Sequence, residues 1–364
     1  MGKNVLDLFC GAGGLSLGFE MAGFNISGGI DFDENAIKTH RKNFPKCTDI
    51  CGDIKSLEKD KIKYLFPSVD VIIGGPPCQG FSMANKWQTE EEKKEKNMLF
   101  YEYMRFVSIL KPKIFVIENV RQILTSNNEY AKKEITKISK KLGYNIYYDV
   151  LDASEYGVPQ KRIRTFIIGI ENKIKKGFNF KKIIKQEKVT VYDAISDLYK
   201  IEQSDILDKP STIYQKMMRN TKDSKLYNHE IKYPIKKVQD RIKFVPQGGN
   251  WKNVPEKMWD TKRTNRHSSA YRRLNENAVS ITIDTGHMNY FHPIYNRVPT
   301  VRESARLQSF PDNFIFLGNK TSQFKQVGNA VPPFLAKAVA TEIMNIIKEI
   351  NNENNWFILW SWRI

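Results

Sequence analysis

Short apolar runs alternate, over the first 170 positions, with longer stretches whose apolar residues recur every three to four places. Short runs bounded by Gly, Pro, Asp or Asn read as buried strands, and the longer period as amphipathic helices. On this pattern Asn4–Phe9, Ile26–Asp31, Val69–Gly74, Ile114–Glu118, Tyr144–Asp152 and Thr165–Ile170 are predicted strands. A helix running from a Gly-rich turn to about Ala22, then Glu34–Asn43, Leu99–Leu110 and Tyr130–Leu142, are predicted helices. Strands alternating with helices indicate an α/β sheet with crossover connections. After about Glu171 the periodicity weakens and Lys, Asn and Tyr dominate. From Val298 regular structure resumes and ends in a helix over about Pro333–Ile350. There are no internal repeats, and Glu90–Lys96 reads as a solvated loop or helix start.

A chain of 364 residues and 42.3 kDa allows two or three domains. Its 41% hydrophobic and 27% charged content excludes global disorder. The net charge is +18, and the segment from Glu171 to Arg297 holds 26 Lys/Arg against 14 Asp/Glu, so +12 of it is concentrated there. Localised basic charge points to a polyanionic partner, with nucleic acid the first candidate. Four cysteines, Cys10, Cys47, Cys51 and Cys78, are too few for a disulfide framework and lack the His or Cys pairs of a zinc site. A reduced, cytoplasmic protein is expected, with no metal. The N-terminus runs directly into strand-like sequence, leaving no room for a signal peptide. No apolar run approaches the roughly 20 residues that span a bilayer. The aromatic tail Trp356–Ile364 reads as packing onto the domain surface or a partner.

Four motifs carry candidate chemistry. In Asp7–Ser16 a strand feeds the turn Cys10-Gly11-Ala12-Gly13-Gly14 and then a helix, so backbone N–H groups can approach a ligand closely. The dinucleotide fingerprint would need Gly where Ser16 stands, which disfavours a pyrophosphate-binding dehydrogenase. Asp31 ends the second strand, where an acid bonds ribose hydroxyls. A nucleoside without a required diphosphate is therefore expected, and S-adenosylmethionine fits. In Gly74–Ser82 the pair Pro76-Pro77 presents Cys78 at a strand's carboxyl end, where a deprotonated thiol is a competent nucleophile. Glu118-Asn119-Val120 follows another strand. Gln160–Arg164 places Arg162 and Arg164 in alternation, two forked cations on one side of an extended segment that suit phosphate and a carbonyl oxygen.

With these motifs in this order, followed by Arg302–Pro311 and Gln326–Pro333, the sequence resembles the DNA (cytosine-5) methyltransferase family, of the bacterial restriction-modification type. The resemblance covers about 1–170 and 298–345. It implies a Rossmann-like S-adenosylmethionine-dependent methyltransferase domain, placed at 1–180 plus 320–364, and a smaller, basic, irregular target recognition domain at 181–319. It implies methyl transfer to C5 of a cytosine flipped out of double-stranded DNA. In it Cys78 adds to C6, Glu118 supports protonation at N3, Arg164 meets the base carbonyl, and Arg162 meets a phosphate or the Cys78 loop. Phe9, Gly11, Gly13, Gly14 and Leu15 would form the methionine-side turn. Asp31 would hold the ribose, Phe32 would stack on adenine, and Asp53 with Ile54 would receive its amine side. Pro76, Leu99, Asn329 and Val331 would close the pocket. Gln79 to about Asn97 corresponds to a loop closing over DNA, with Gln79, Ser82, Lys86, Trp87 and Gln88 as contact residues.

Base readout is expected from Gln247–Trp251 to Tyr271-Arg272-Arg273, and from Thr282–His292, since Arg and Asn can bond guanine and adenine bidentately. The expected partners are double-stranded DNA and, in function, a cognate restriction endonuclease, with the enzyme acting as a monomer away from membranes. Two other readings stay open on the same fold: an RNA cytosine-5 methyltransferase and a catalytically silent DNA-binding relative.

Overall fold

The computed structural model describes residues 3–77, 98–124, 129–202, 208–219, 225–260, 270–286 and 290–361, with backbone only from 351. The chain divides into two compact units. The first is Met1–Asp152, Ile163–Lys185 and Pro333–Ile364; the second is Ala153–Arg162 and Gln186–Pro332. Residues 153–162 and 320–332, which the sequence reading drew into the first domain, group with the second unit.

The first unit is built on a seven-stranded sheet. Its strands are β1 (Asn4–Leu8), β2 (Asn25–Asp31), β3 (Thr48–Cys51), β4 (Val71–Gly74), β5 (Ile114–Val120), β6 (Tyr144–Asp152) and β7 (Ile163–Glu171), in the order β3-β2-β1-β4-β5-β7-β6. The five strands from β3 to β5 are mutually parallel, and β7 runs antiparallel to both β5 and β6. The central strands are buried because helices cover both faces: every residue of β4 is buried, as are the first six of β5, of which the last two are Glu118 and Asn119. The helices are α1 (Gly14–Met21), α2 (Glu34–Asn43), α3 (Lys59–Leu65), α4 (Met98–Leu110), α5 (Tyr130–Lys141) and the helix Pro333–Ser361. Asp33 caps α2 by accepting from the N–H groups of Asn35 and Ala36. Phe100, Tyr103, Phe106 and Val107 on one face of α4 pack with Leu6, Leu8, Ile72, Phe115 and Ile117 of the sheet.

The second unit has little regular structure. It holds the short helices α6 (Val191–Ile195), α7 (Ile213–Met218), α8 (Lys236–Ile242), α9 (Val301–Leu307) and α10 (Lys320–Asn329), so the helix Pro333–Ser361 of the first unit is α11. Strands β8 (Arg272–Arg273) and β9 (Tyr290–Phe291) form a two-stranded parallel ladder. Its interior is unusually ionic. Arg297 meets Glu303 through both terminal nitrogens and also pairs with Glu202, while Arg306 bonds Asp312 and Asp197. Arg302 donates to the carbonyls of Tyr227, Pro311 and Phe314.

The helical stretch Lys320–Ile350 corrects one expectation, because it reaches membrane-crossing length and composition. Two-thirds (67%) of its apolar window is buried inside the protein, as in the core helix of a globular domain. Leu335, Val339, Ile343 and Ile347 are all buried, and α11 packs on α1 so closely that a Cβ at Gly18 would stand 2.3 Å from Ala336 Cβ.

Candidate active site

Strand register lines up the candidate residues of the first unit. Leu8 is level with Ile30 on one side and Gly74 on the other; Gly74 is level with Ile117, and Asp31 with Cys51. Residues just beyond these pairs, namely Phe9, Gly52, Gly75 and Glu118, therefore share the carboxyl edge of the parallel strands with Asp31. That edge is where open α/β sheets take ligands.

The Gly-rich turn is tight and conformationally special. Phe9 has φ 63° and Gly11 and Gly13 have φ 54° and 101°. A bulky residue such as Phe9 adopts this region at a cost on the order of 1–3 kcal/mol, so the surrounding contacts must enforce it. The turn is held by Cys10 N–H donating to Ile30 O and by Gly13 N–H donating to Cys10 O. The Asp31 carboxylate accepts from Gly11 N–H at 2.8 Å and from Asp33 N–H at 2.9 Å. Burial pushes its carboxyl up from the ordinary value, and these backbone donors counter that.

A cradle is open beside these groups. A Cβ at Gly11 or Gly52 would meet nothing within 4 Å, and the Phe32 ring is 73% exposed. Asp53 caps a single helical turn through Lys55 N–H, while Ile54 is buried. An exposed aromatic face, a carboxylate fixed by backbone donors and open backbone at two glycines suit a nucleoside. Gly13 and Gly14 lie within the turn and α1, Leu15 is buried behind them, and Leu99 is half-buried at the start of α4.

At the adjoining strands, Glu118 Oε1 stands 2.9 Å from Arg164 Nε, both side chains being largely buried. Asn119 Nδ2 donates to Pro76 O at 2.9 Å, which ties the segment after β4 to β5. A Cβ at Gly75 would come within 3.1 Å of Glu118 Oε2, so the chain leading towards residue 78 passes directly over the carboxylate. Cys78, Gln79, Ser82, Lys86, Trp87 and Gln88 lie outside the described residues.

Several candidates are placed differently from their sequence reading. Arg164 sits in β7 beside Glu118, whereas Arg162 belongs to the second unit, where it is buried and donates to Ile283 O and Gly328 O. The strand begins at Ile163, and just before it Arg162 O accepts from Ala153 N–H. Gln160 likewise anchors the second unit, bonding Leu307 O, Gln308 Oε1 and Ile283 N–H. Asn329 and Val331 also lie in the second unit, at and just after the end of α10.

Arg273 is not an exposed base reader: it is buried, and its guanidinium donates to Ile242 O, Pro293 O, Ile294 O and Asn296 Oδ1. His292 is buried, accepts from Ile294 and Tyr295 N–H, and is driven by burial down to about 3, so it is neutral. Tyr290 is buried against Ser304. Arg272 is half-buried and its side chain makes no hydrogen bond or ion pair among the described residues. Among the described residues no cluster of three or more His, Cys, Asp or Glu could hold a metal.

The sequence reading did not find the buried chain of Asp7, Ser16, His40 and Asp49 beneath the turn. No spacing rule brings together residues from four elements.

Comparison with known proteins places this arrangement. The family described as C-5 cytosine-specific DNA methylase matches residues 3–345. The type II methyltransferase M.DdeI of Desulfomicrobium norvegicum is 36% identical over 97% of this chain and 91% of its own length. The type II methyltransferase M1.HphI of Haemophilus parahaemolyticus is also 36% identical, over 95% of this chain and 88% of its own. A crystal structure described as a DNA modification methyltransferase encoded within an Escherichia coli prophage superposes with a TM-score of 0.76 at 30% identity, covering 95% of this chain and 99% of that one.

Proposed function

Since the chain belongs to the C-5 cytosine-specific DNA methylase family, we propose that it methylates one cytosine in a specific short sequence of double-stranded DNA, with S-adenosylmethionine as methyl donor and a covalent Cys78–C6 intermediate. DNA cytosine-5 methylation comes with the family; the cofactor, the residue roles and the course of the reaction are inferred for this chain.

The observation that carries the reading is the Glu118–Arg164 pair, set under Gly75 on the strand edge that leads to Cys78. C5 of cytosine is a poor nucleophile. Addition of the Cys78 thiolate at C6 moves an electron pair towards C5 and N3, turning the ring into an enamine. Glu118 shares a proton with N3 as that charge develops, and Arg164 orients the carboxyl group and meets the base carbonyl. C5 then takes the methyl group from the sulfonium of the cofactor. A base removes the C5 proton, the electron pair returns to the ring, and the C6–S bond breaks to release thiolate. The atom attacked is inaccessible within a duplex, so the cytosine must be extruded first.

The cofactor reading rests on the cradle at Gly11 and Gly52, the exposed Phe32 ring and the Asp31 carboxylate. In it Asp31 accepts from ribose hydroxyls, Phe32 stacks on adenine, and Asp53 bonds the adenine amine. The basic second unit is assigned to target recognition, with Arg272 as a contact residue. The similarity to type II methyltransferases favours a role in protecting DNA from a cognate restriction endonuclease.

A duplex carrying 5-fluorocytosine at the target tests the covalent step. Fluorine cannot leave as a cation, so elimination stalls and the protein stays bonded to DNA on a denaturing gel. The adduct should need S-adenosylmethionine and disappear in Cys78→Ser, because an alcohol is far less ionised than a thiol near neutral pH. An adduct that persists in Cys78→Ser removes Cys78 as nucleophile.

A further inference from the structure

The helical turn assigned to the adenine end of the cofactor is too short to hold its own place. It consists of three residues, Ile54–Ser56, opened by Asp53. Its internal bonds are few. Asp53 Oδ1 accepts from Lys55 N–H at 3.0 Å, Asp53 O accepts from Ser56 N–H at 3.0 Å, and Leu57 N–H reaches Ile54 O only at 3.4 Å. Ser56 Oγ adds a 2.7 Å bond to Asp53 O. A single turn fixes several dihedrals and forms few bonds, so support has to come from outside it.

Arg105 on α4 supplies that support. Its Nη1 donates to Leu57 O at 2.8 Å and its Nη2 to Ile54 O at 2.9 Å. These carbonyls stand at the end of the turn, where a basic side chain satisfies them well. The guanidinium is itself held. Its Nε and Nη2 both lie 2.6 Å from Glu102 Oε2 on the same helix, and its Cζ stands 5.3 Å from the centre of the Phe106 ring. Only 30% of the Arg105 side chain and 18% of that of Glu102 is exposed, so water competes weakly for the pair.

Two kinds of contact therefore hold the turn. Ile54 and Leu57 are buried in the core that α4 shares with the sheet. That packing resists lifting of the turn but is not directional. The two hydrogen bonds from Arg105 are directional and fix its rotation. The rotation of the turn sets the direction of the Asp53 carboxylate, because Asp53 is bonded into the turn through both Oδ1 and its carbonyl. Oδ1 is taken by Lys55 N–H, which leaves Oδ2 of this exposed residue to meet a ligand. The same helix carries Leu99, assigned to the pocket wall, six residues before Arg105. Six helical residues span about 9 Å, so α4 fixes the spacing between that wall and the turn.

We propose that Arg105 is a positioning residue for the adenine end of the cofactor site, and that its hold on Ile54 O and Leu57 O gives the protein a preference for a 6-aminopurine nucleoside over a 6-oxopurine one. The inference rests on the reading of Asp53 as the adenine contact. A 6-amino group donates to a carboxylate opposite it, whereas a 6-oxo group presents a second acceptor. A 6-oxopurine does carry a donor at the neighbouring N1. A carboxylate free to shift would accept from that N1–H, and only one held in place tells the two bases apart.

Calorimetric titration with S-adenosylhomocysteine and S-inosylhomocysteine tests this. The native protein should bind the adenosine ligand about 10–100-fold more tightly, the worth of a hydrogen bond to a charged acceptor. Arg105→Ala should weaken S-adenosylhomocysteine about tenfold and leave S-inosylhomocysteine within about twofold, so the preference shrinks. Arg105→Lys, which keeps a cation able to donate to one carbonyl, should recover part of it. In Arg105→Ala the Michaelis constant for S-adenosylmethionine should rise about tenfold while the rate at saturating cofactor stays within about twofold. Should Arg105→Ala not fold, Glu102→Gln carries the test: it removes the ion pair that aims the guanidinium and should lower the preference about threefold. Equal weakening of both ligands, or an undiminished preference, overturns the proposal. Asp53→Ala separates the two readings. If it leaves the preference at its native level, Asp53 is not the adenine contact, and the cofactor reading of this turn falls together with the inference. If it erases the preference while the Arg105 and Glu102 variants keep theirs, the cofactor reading stands and the positioning role falls.

Discussion

Replacing Arg273 with Ala distinguishes a structural guanidinium from a DNA-reading one. The side chain makes four contacts, at 2.6 Å to Asn296 Oδ1, 2.8 Å to Ile242 O and 3.2 Å to Pro293 O and Ile294 O. Hydrogen bonds from a charged donor are worth about 1.5–3 kcal/mol each, but they are not additive, and the two at 3.2 Å are weak. Burying the guanidinium opposes them, since desolvation lowers its pKa. Truncation removes that penalty yet strands three carbonyls and an amide oxygen. The expected destabilisation is about 3–5 kcal/mol, the range for breaking a buried charged network. In a unit of this size it should lower the thermal midpoint by on the order of 10 °C. Differential scanning calorimetry measures it, with Arg272→Ala as the comparison. Arg272→Ala should leave the midpoint nearly unchanged and weaken DNA binding. A full-strength fold in Arg273→Ala, with affinity lost at a single base position, would refute the structural assignment.

DNA affinity should fall with a log–log salt slope of about −4 to −7, as expected for about 5–8 phosphate contacts, and a near-flat titration would remove the basic unit from the interface. Glu118→Gln should slow formation of the 5-fluorocytosine adduct by about 10²–10⁴-fold while DNA retention on a filter stays close to native; equal rates would exclude proton assistance by Glu118. Asp31→Ala should cost about 0.5–3 kcal/mol of S-adenosylmethionine binding by calorimetry. Asp7 also predicts how stability varies with pH. Its carboxyl is held up at about 7 in the fold but ionises near 3.8 when unfolded. Between those values the unfolded state is the one that loses its proton, so stability falls as pH rises and the loss, on the order of 4 kcal/mol, is complete above about 7. Asp7→Asn should therefore raise the midpoint at pH 8 and leave it almost unmoved near pH 4; a uniform shift at both would argue against a neutral buried acid.

The first unit could be read closely from the sequence because its signals are local. Apolar runs marked β1, β2, β4 and β5, and α2 falls at Glu34–Asn43 as expected, opened by Asp33 and closed by basic residues. The strand β3, Thr48–Cys51, escaped notice: it is short, sits at the sheet edge and buries none of its residues fully. In the second unit the same reasoning misassigned side chains. Arg273 and the stretch Thr282–His292 read as base contacts because Arg, His, Asn and Tyr in a basic segment suit DNA, yet Arg273, Tyr290 and His292 fill an interior that hydrophobic residues alone do not. Nothing local separates an arginine that faces phosphate from one that ties carbonyls together; the difference lies in partners 20 and 121 residues away, Pro293 for Arg273 and Ile283 for Arg162. For the same reason His40, an ordinary polar position on α2, gave no sign of its tie to Ser16.

The seating of α11 on α1 has a consequence in time. At about 5–20 residues per second, the surface of α1 around Gly18 waits roughly 15–60 s during synthesis before Ala336 and its neighbours leave the ribosome. Sheet strands β1 to β5 can pair within that interval, but the apolar face meant for Leu335, Val339 and Ile343 stays wet. Closing so distant a contact is slow for entropic reasons. The nascent protein therefore passes through a state that is ordered in its sheet and open along one helix. Chaperone occupancy during synthesis should centre on α1, and it should end when α11 arrives.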